Sequence, residues 1–428
     1  MNDPQHDQPW PPPTMERRGF AADVMVGGDA DDGTPLSGPR GAIGLAGVVG
    51  VFVVLGFIDI WWLVFALGLL ISIVLHELGH FVTARVTGMK ATQFFIGFGP
   101  RLWSIRRGET EYGVRALPLG AFVRIIGMNN LDEVAPADES RAYRAASFPR
   151  RMLVITAGSA MHLLLALVLL SGIFMVRGES IARDAAEIVA VGDDVPATGI
   201  IESGDVIRSV GGVAVSAMDG LAAAVTAHDP GDQVIIELDR NGIATSVSVT
   251  LGSLDAIGGD PTTAFLGVSS RTVVDTVQHA WWSSPAYAVG SIVGQVGDSV
   301  TGVVRILDPV NIVAHLSGSS ADPMTRPTTL VGITAVSDDV GRSAGVTGVL
   351  ELLAYLNVFV GVFNLFPLLP LDGGHAAIAM YERVREGRSR RRYHVDVARL
   401  MPLTMAVVAL LAFLFLSGLY LDIVRPVG

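Results

Sequence analysis

His76-Glu77-Leu78-Gly79-His80 lies inside an apolar run, and its reading decides the fold. Upstream stand Trp61-Trp62-Leu63-Val64-Phe65-Ala66-Leu67-Gly68-Leu69-Leu70-Ile71-Ser72-Ile73-Val74-Leu75, and Phe81-Val82-Thr83-Ala84 follows. A run of that length and hydropathy reads as a membrane-spanning helix. Ionisable side chains are costly in such a helix, so a cluster of three points to function. On a helix, positions i and i+4 share a face, and His76 and His80 can offer two imidazoles to one ion. Glu77, one step round, is placed to handle the proton of a water activated by that ion. Short motifs also arise by chance, but an apolar helix has little reason to carry these three groups together.

Composition agrees with a membrane protein. Of 428 residues, 50% are hydrophobic and only 17% charged, with mean hydropathy +0.50; ordinary soluble domains carry about 25% charged residues. Cysteine is absent, which excludes disulfide staples and thiolate ligands or nucleophiles. Histidine and carboxylate remain as the ligand pool, and that pool suits zinc.

The net charge of -11 is unevenly spread. Residues 85–151 hold 11 Lys/Arg against 6 Asp/Glu, residues 177–348 hold 8 against 20, and residues 382–399 hold 7 against 3. By the positive-inside rule the two basic segments face the cytoplasm and the acidic one faces outward. This places the chain in the cell membrane as a multi-pass protein. Basic stretches flanked by spans fit lipid headgroups, so the bilayer is the expected partner and nucleic acid is not.

The predicted architecture is a polytopic α-helical membrane protein with about four core transmembrane helices, or these and one extra at the N-terminus. It carries a membrane-associated β-hairpin and a PDZ-like extracytoplasmic α/β domain. Residues 1–40, rich in Pro, Gly and Asp, read as a disordered tail. Residues 41–84 are too long for one untilted span and are interrupted by Asp59, which predicts a principal helix at 61–84 preceded by a shorter helix or a tilted extension. Residues 85–150 form a cytoplasmic-side segment. Within it, Gly97, Gly99-Pro100, Gly113, Pro118 and Gly120 punctuate aromatic and β-branched residues over 93–126, and Arg106-Arg107-Gly108-Glu109 marks a turn, which predicts a hairpin. A span at 151–177 contains His162, read as a helix-contact residue rather than a ligand.

Residues 178–270 alternate strands, one helix and glycine turns, the order of a PDZ-like domain, whose groove binds peptides by strand addition. Residues 271–348 are semi-apolar and read as extracytoplasmic interfacial helices and loops. A span at 349–372, a basic cytoplasmic segment at 373–398 and a last span at 399–425 complete the chain.

The span at 349–372 ends in Asn364-Leu365-Phe366-Pro367-Leu368-Leu369-Pro370-Leu371-Asp372-Gly373-Gly374. Two prolines break the helix there, and the glycine pair is expected to let the backbone turn. With the outer region outside, this end and the helix of His76 and His80 meet on the cytoplasmic side. Two histidines and one carboxylate, with water in the fourth position, make the open tetrahedral arrangement of a hydrolytic zinc site. Asn364 could hydrogen-bond a tetrahedral intermediate.

Leu75-His76-Glu77-Leu78-Gly79-His80 paired with Asn364-x-x-Pro367-x-x-Pro370-Leu371-Asp372-Gly373-Gly374 resembles the site-2 protease family of intramembrane zinc metalloproteases. Gly97-Phe98-Gly99-Pro100, Pro118-Leu119-Gly120 and the PDZ-like insert narrow the likeness to bacterial regulator-of-sigma-factor proteases of the actinobacterial type. The resemblance implies that His76, His80 and Asp372 bind Zn²⁺, that Glu77 is the general base and that Asn364 holds the substrate backbone. It further implies that the hairpin clamps an unwound substrate strand and that the PDZ-like domain filters substrates. Those substrates would be single-span membrane proteins such as anti-sigma factors. In one place the chain departs from the family: Gly158-Ser159-Ala160-Met161-His162 stands where Gly-Pro-x-x-Asn is usual. The alternatives are an inert PDZ-containing scaffold, which would lack a ligand or the base, and a metal-binding or transport protein, which would need further polar residues along a path.

Overall fold

The computed structural model describes residues 39–128, 132, 134–217, 220–257, 260–317, 326–389 and 393–424. Almost all of the tail expected to be disordered at 1–40 lies outside them. The chain divides into two compact units, Met1–Ile173 with Trp282–Gly428, and Phe174–Trp281.

In the first unit the long apolar N-terminal stretch resolves into two helices, α1 (Pro39–Ile58) and α2 (Ile60–Val86). Asp59 separates them: its backbone is extended (φ -157°, ψ 132°) and its carboxylate accepts a hydrogen bond from Trp61 N at 2.7 Å. Asp59 is thus the N-cap of α2. The extra N-terminal helix exists, and its side chains are mostly exposed, Ile43 and Phe57 among them. An apolar face of that extent, uncovered by protein, suits lipid.

Two long strands follow, β1 (Ala91–Arg107) and β2 (Thr110–Ile125), joined at Gly108-Glu109 with Gly108 at φ 62°. The tip lies where the sequence placed it, but the element is more than a hairpin. Phe94 is paired with both Tyr112 and Val123, and Phe95 with both Gly113 and Phe122. The first half of β1 therefore runs between the two halves of β2, and the ribbon is folded over on itself. Gly97 (φ 90°) makes the bend, and a Cβ there would lie 2.7 Å from Leu117 O. The 121–125 half of β2 is left as an edge, with no further strand beside it among the described residues.

Helix α3 (Phe148–Val176) carries Pro149 in its first turn, where no intrahelical N–H is required. Phe81 and Ala84 of α2 pack with Met89, with Ala91 and Ile125 of the ribbon and with Val154 and Ile155 of α3.

The second unit holds β3 (Glu179–Val191), β4 (Val206–Val210), β5 (Val213–Ala214), helix α4 (Gly220–Thr226), β6 (Gln233–Arg240), β7 (Ile243–Thr250), β8 (Gly252–Ser253), β9 (Ala264–Phe265) and β10 (Val268–Val277). The main sheet runs β10-β3-β4-β6-β7, with β5 paired to β4. Val234, Ile236 and Leu238 are buried while their neighbours Gln233, Ile235 and Glu237 are exposed or half-exposed, the alternation of a one-sided sheet. With Ile188, Ile207, Val249 and Leu251 they build a core of their own. This strand-and-helix order is the PDZ-like arrangement expected at 178–270. Strand β10 extends it, because Val268–Val277 pairs antiparallel with β3. The start of the segment expected as interfacial helices and loops is therefore sheet.

Returning to the first unit, α5 (Ser284–Leu307) and α6 (Pro309–Ser317) precede α7 (Leu330–Asn364). The third core span was expected from Val349; the helix begins at Leu330 and carries a non-helical Gly345 (φ 67°, ψ -158°) within it. Its early part is tied down at both sides. Asp422, buried near the end of the last helix, accepts from Thr329 N (2.8 Å) and Gly332 N (3.1 Å). Arg342 reaches Asp59 at 2.7 Å. Helix α7 ends at Asn364, ahead of Pro367 and Pro370, and α8 (Asp372–Ser389) and α9 (Met401–Val424) complete the unit. Phe65 of α2 packs against Val349 and Leu353 of α7.

Among the described residues five helices are long and apolar enough to cross a membrane: α1, α2, α3, the Gly332–Asn364 part of α7, and α9.

Candidate metal centre and catalytic groups

His76 and His80 sit one turn apart on α2 and are both 8% exposed. Their Nε2 atoms lie 3.1 Å apart. Asp372 Oδ2, from the first residue of α8, is 3.4 Å from His76 Nε2 and 3.2 Å from His80 Nε2. His80 Nδ1 donates to Val154 O at 2.8 Å, which leaves Nε2 of that ring as a bare lone pair. Three acceptor atoms facing one point repel unless a cation lies between them. Ligand atoms about 2.0 Å from a tetrahedral ion stand about 3.3 Å apart, and these three edges match that figure. Asp372 Oδ2 is buried without a hydrogen-bond partner, as expected of a ligand atom built for an ion. The residues fit a zinc ion.

Glycine contacts bring the pieces this close. Gly158 of α3 faces both rings: a Cβ there would lie 2.5 Å from His80 Nε2 and 2.7 Å from His76 Nδ1. A Cβ at Gly79 would stand 2.7 Å from Ala157 O, so α2 and α3 cross with their backbones nearly touching. At the other half of the site, a Cβ on Gly373 would overlap Leu365 O and Phe366 O, and one on Gly374 would lie 2.6 Å from Leu369 N. The sequence suggested that this pair serves a turn. Neither residue has positive φ; both are needed because the first turn of α8 presses on the segment after α7. Helix α8 is pinned to α3 by Arg151 and Glu382, paired at 2.5 Å with side chains 5% and 6% exposed. Removing one partner of such a buried pair costs about 3–5 kcal/mol.

The model of peptidase family M50 matches residues 64–410, which include His76, Glu77, His80 and Asp372. The chain belongs to peptidase family M50. Among curated relatives, the zinc metalloprotease Rip1 of Mycobacterium tuberculosis is 34% identical over 396 residues, covering 85% of this chain and 97% of its own. The zinc metalloprotease RasP of Shouchella clausii is 26% identical over 392 residues, covering 74% and 88%. Among solved structures, the PDZ domain of an SdrC-like protein from Listeria monocytogenes matches 21% of this chain and 90% of its own, at 24% identity and a TM-score of 0.18.

In this M50 chain Glu77 accepts a hydrogen bond from Val123 N at 3.0 Å. Val123 lies on the edge half of β2, and its N–H points away from β1 toward α2. The carboxylate therefore ties the helix of the metal-ligand pair to the edge half of β2. Asn364 is the last residue of α7; it is half-buried and its side chain makes no hydrogen bond to the described residues. It stands apart from the bonded network around His76. Sequence reading missed Gly158, Val123 and Asn357. Asn357 was visible as a polar residue on an apolar span, as was Ser72, which it contacts at 3.0 Å. Nothing in the sequence distinguishes Gly158 from the other glycines of the spans, or Val123 from its neighbours.

Proposed function

We propose that His76, His80 and Asp372 hold the zinc ion of an intramembrane protease, that Glu77 is its general base, and that the substrate is drawn out along the 121–125 half of β2. As a member of family M50 the chain is a zinc metalloprotease of the membrane. The observation that carries the site assignment is the convergence of three ligand atoms within 3.4 Å beside a carboxylate bonded to a strand edge. Bound zinc would polarise the scissile carbonyl and lower the pKa of water toward about 7. Glu77 takes the proton of the attacking water and delivers it to the leaving amide nitrogen. A substrate helix hides its carbonyls in hydrogen bonds and has to unwind first. No further strand joins residues 121–125 among the described residues, and a chain added along that half of β2 would be held extended, next to Glu77. Asn364, at the helix end close in sequence to Asp372, would hold the substrate backbone.

The substrates are single-span membrane regulators of the anti-sigma-factor kind, cleaved to release a cytoplasmic fragment. The charge asymmetry supports a cytoplasmic side for residues 85–150 and 373–398 and an outer side for the PDZ-like unit, where it would screen incoming chains. An inert scaffold would lack a ligand or the base, and all four residues are present.

The test is cleavage of a membrane-anchored reporter by purified protein in detergent. Chelation should stop cleavage and zinc should restore it. The Asp372→Ala protein should retain less than about a tenth of the wild-type zinc, since one of three protein ligands is gone. Cleavage indifferent to chelation would overturn the proposal.

A further inference from the structure

The two basic stretches of the sequence, 85–151 and 382–399, meet in the first unit at the start of α3. A cleft of about 570 Å³ lies there. Arg144 and Arg151 line it from the first stretch, Arg383 and His394 from the second, against one carboxylate, Glu386. Phe148, the first residue of α3, also lines it, so the partial positive charge of the helix N-terminus adds to theirs.

Two of the guanidiniums are fixed before any ligand arrives. Arg144 donates to Glu139 at 2.8 and 2.7 Å, and Arg151, 4% exposed, donates to Glu382 at 2.5 Å. Neither acid lines the cleft. An arginine carries five N–H donors in a rigid fork, and a single carboxylate does not use them all. Nε of Arg151 is buried with no hydrogen-bond partner among the described residues. Arg383 comes no closer than 4.0 Å to Glu386, and its side chain is 62% exposed. Donors in excess of acceptors, held around one cleft, suit an oxyanion.

The depth of the cleft says which oxyanion. Helix α3 has 29 residues, which at about 1.5 Å each span about 43 Å, the thickness of a bilayer with its headgroups. Its first residue therefore lies at headgroup level, and so does the cleft that this residue lines. The phosphates that populate that level are those of lipids.

We propose that this cleft binds the phosphate group of an anionic phospholipid, with Arg151 and Arg383 as its charged donors. None of the lining residues is a metal ligand, so the inference stands apart from the zinc assignment.

The experiment is calorimetric titration of purified full-length protein in neutral detergent. The probes are short-chain phosphatidylglycerol, phosphatidylcholine of the same chain length, and inorganic phosphate. Phosphatidylglycerol should bind at least about tenfold more tightly than either of the others. Arg383→Gln should weaken its binding about fivefold, the usual worth of one arginine at an anionic headgroup. Arg399→Gln makes the same charge change at an exposed residue of the same basic stretch, outside the cleft lining, and should stay within about twofold of wild type. Removing Arg151 alone would leave Glu382 buried and unpaired, so Arg151→Gln is combined with Glu382→Gln, which keeps the net charge. That protein should bind phosphatidylglycerol about tenfold more weakly. Its melting transition shows whether it is folded, and if it is not, the Arg383 and Arg399 variants decide alone. Equal affinity for the two lipids overturns the proposal. Equal losses in Arg383→Gln and Arg399→Gln would mean a diffuse basic surface and overturn it as well. Inorganic phosphate binding as tightly as phosphatidylglycerol would make this a site for the free anion and overturn the lipid assignment.

Discussion

Glu77→Gln is expected to leave zinc bound and to slow cleavage about 10²–10⁴-fold, the usual contribution of a positioned general base. The substitution keeps side-chain length and an oxygen that can still accept from Val123 N, now 3.0 Å from the Glu77 carboxylate. It removes only the capacity to take a proton. The ligand atoms lie on other side chains, so zinc content should match wild type. Rates on the membrane-anchored reporter, with zinc measured in the same preparations, separate the two effects. A variant that kept most of its activity would remove Glu77 from the mechanism; one that lost its zinc would make it a structural residue of the site.

The second large effect is expected from a single methyl group. Gly158→Ala should weaken zinc binding more than about 100-fold and abolish cleavage, beyond the usual loss from disturbing ligand orientation alone. The added carbon would lie 2.5 Å from His80 Nε2 and 2.7 Å from His76 Nδ1, so a ring or a helix must move. His80 cannot retreat without losing its bond to Val154 O, 2.8 Å away on the same helix as Gly158. Within a helix, alanine in place of glycine otherwise gains up to about 1 kcal/mol. Gly172, also on α3, has open space around it and supplies the control. Gly172→Ala should bind zinc like wild type. Chelator competition on the two variants checks the prediction, and equal affinities would mean that α3 does not press on the metal ligands.

Much of this molecule was legible from residue types alone. The apolar runs marked the core spans, and Asp59 marked a break that proved to be an N-cap. The glycine at 108 marked the ribbon's tip, and the paired motifs named the three residues that meet at one point. What could not be read is how faces meet. The pairing of Phe94 with both Tyr112 and Val123 depends on a fold-over at Gly97, which local strand propensity does not encode. The early start of α7 rests on contacts made far away in sequence, Asp422 with Thr329 and Gly332, and Arg342 with Asp59. Gly158 looks like any other glycine of a span until α3 is laid against α2. His162 was legible as an interhelical contact through its polarity, but its station beside His76 requires the same crossing. Each of these features belongs to tertiary packing, while the chemistry-bearing residues announced themselves by being costly where they stood.

The most direct test of the metal centre is zinc X-ray absorption on the wild-type protein, which counts the imidazoles bound to the ion and identifies the remaining ligands. Two histidines with oxygen completing the shell, at about 2.0 Å, is the predicted result. A shell with three imidazoles would bring a further histidine into the site in place of Asp372, and a shell with none would put the zinc elsewhere; either would contradict the account.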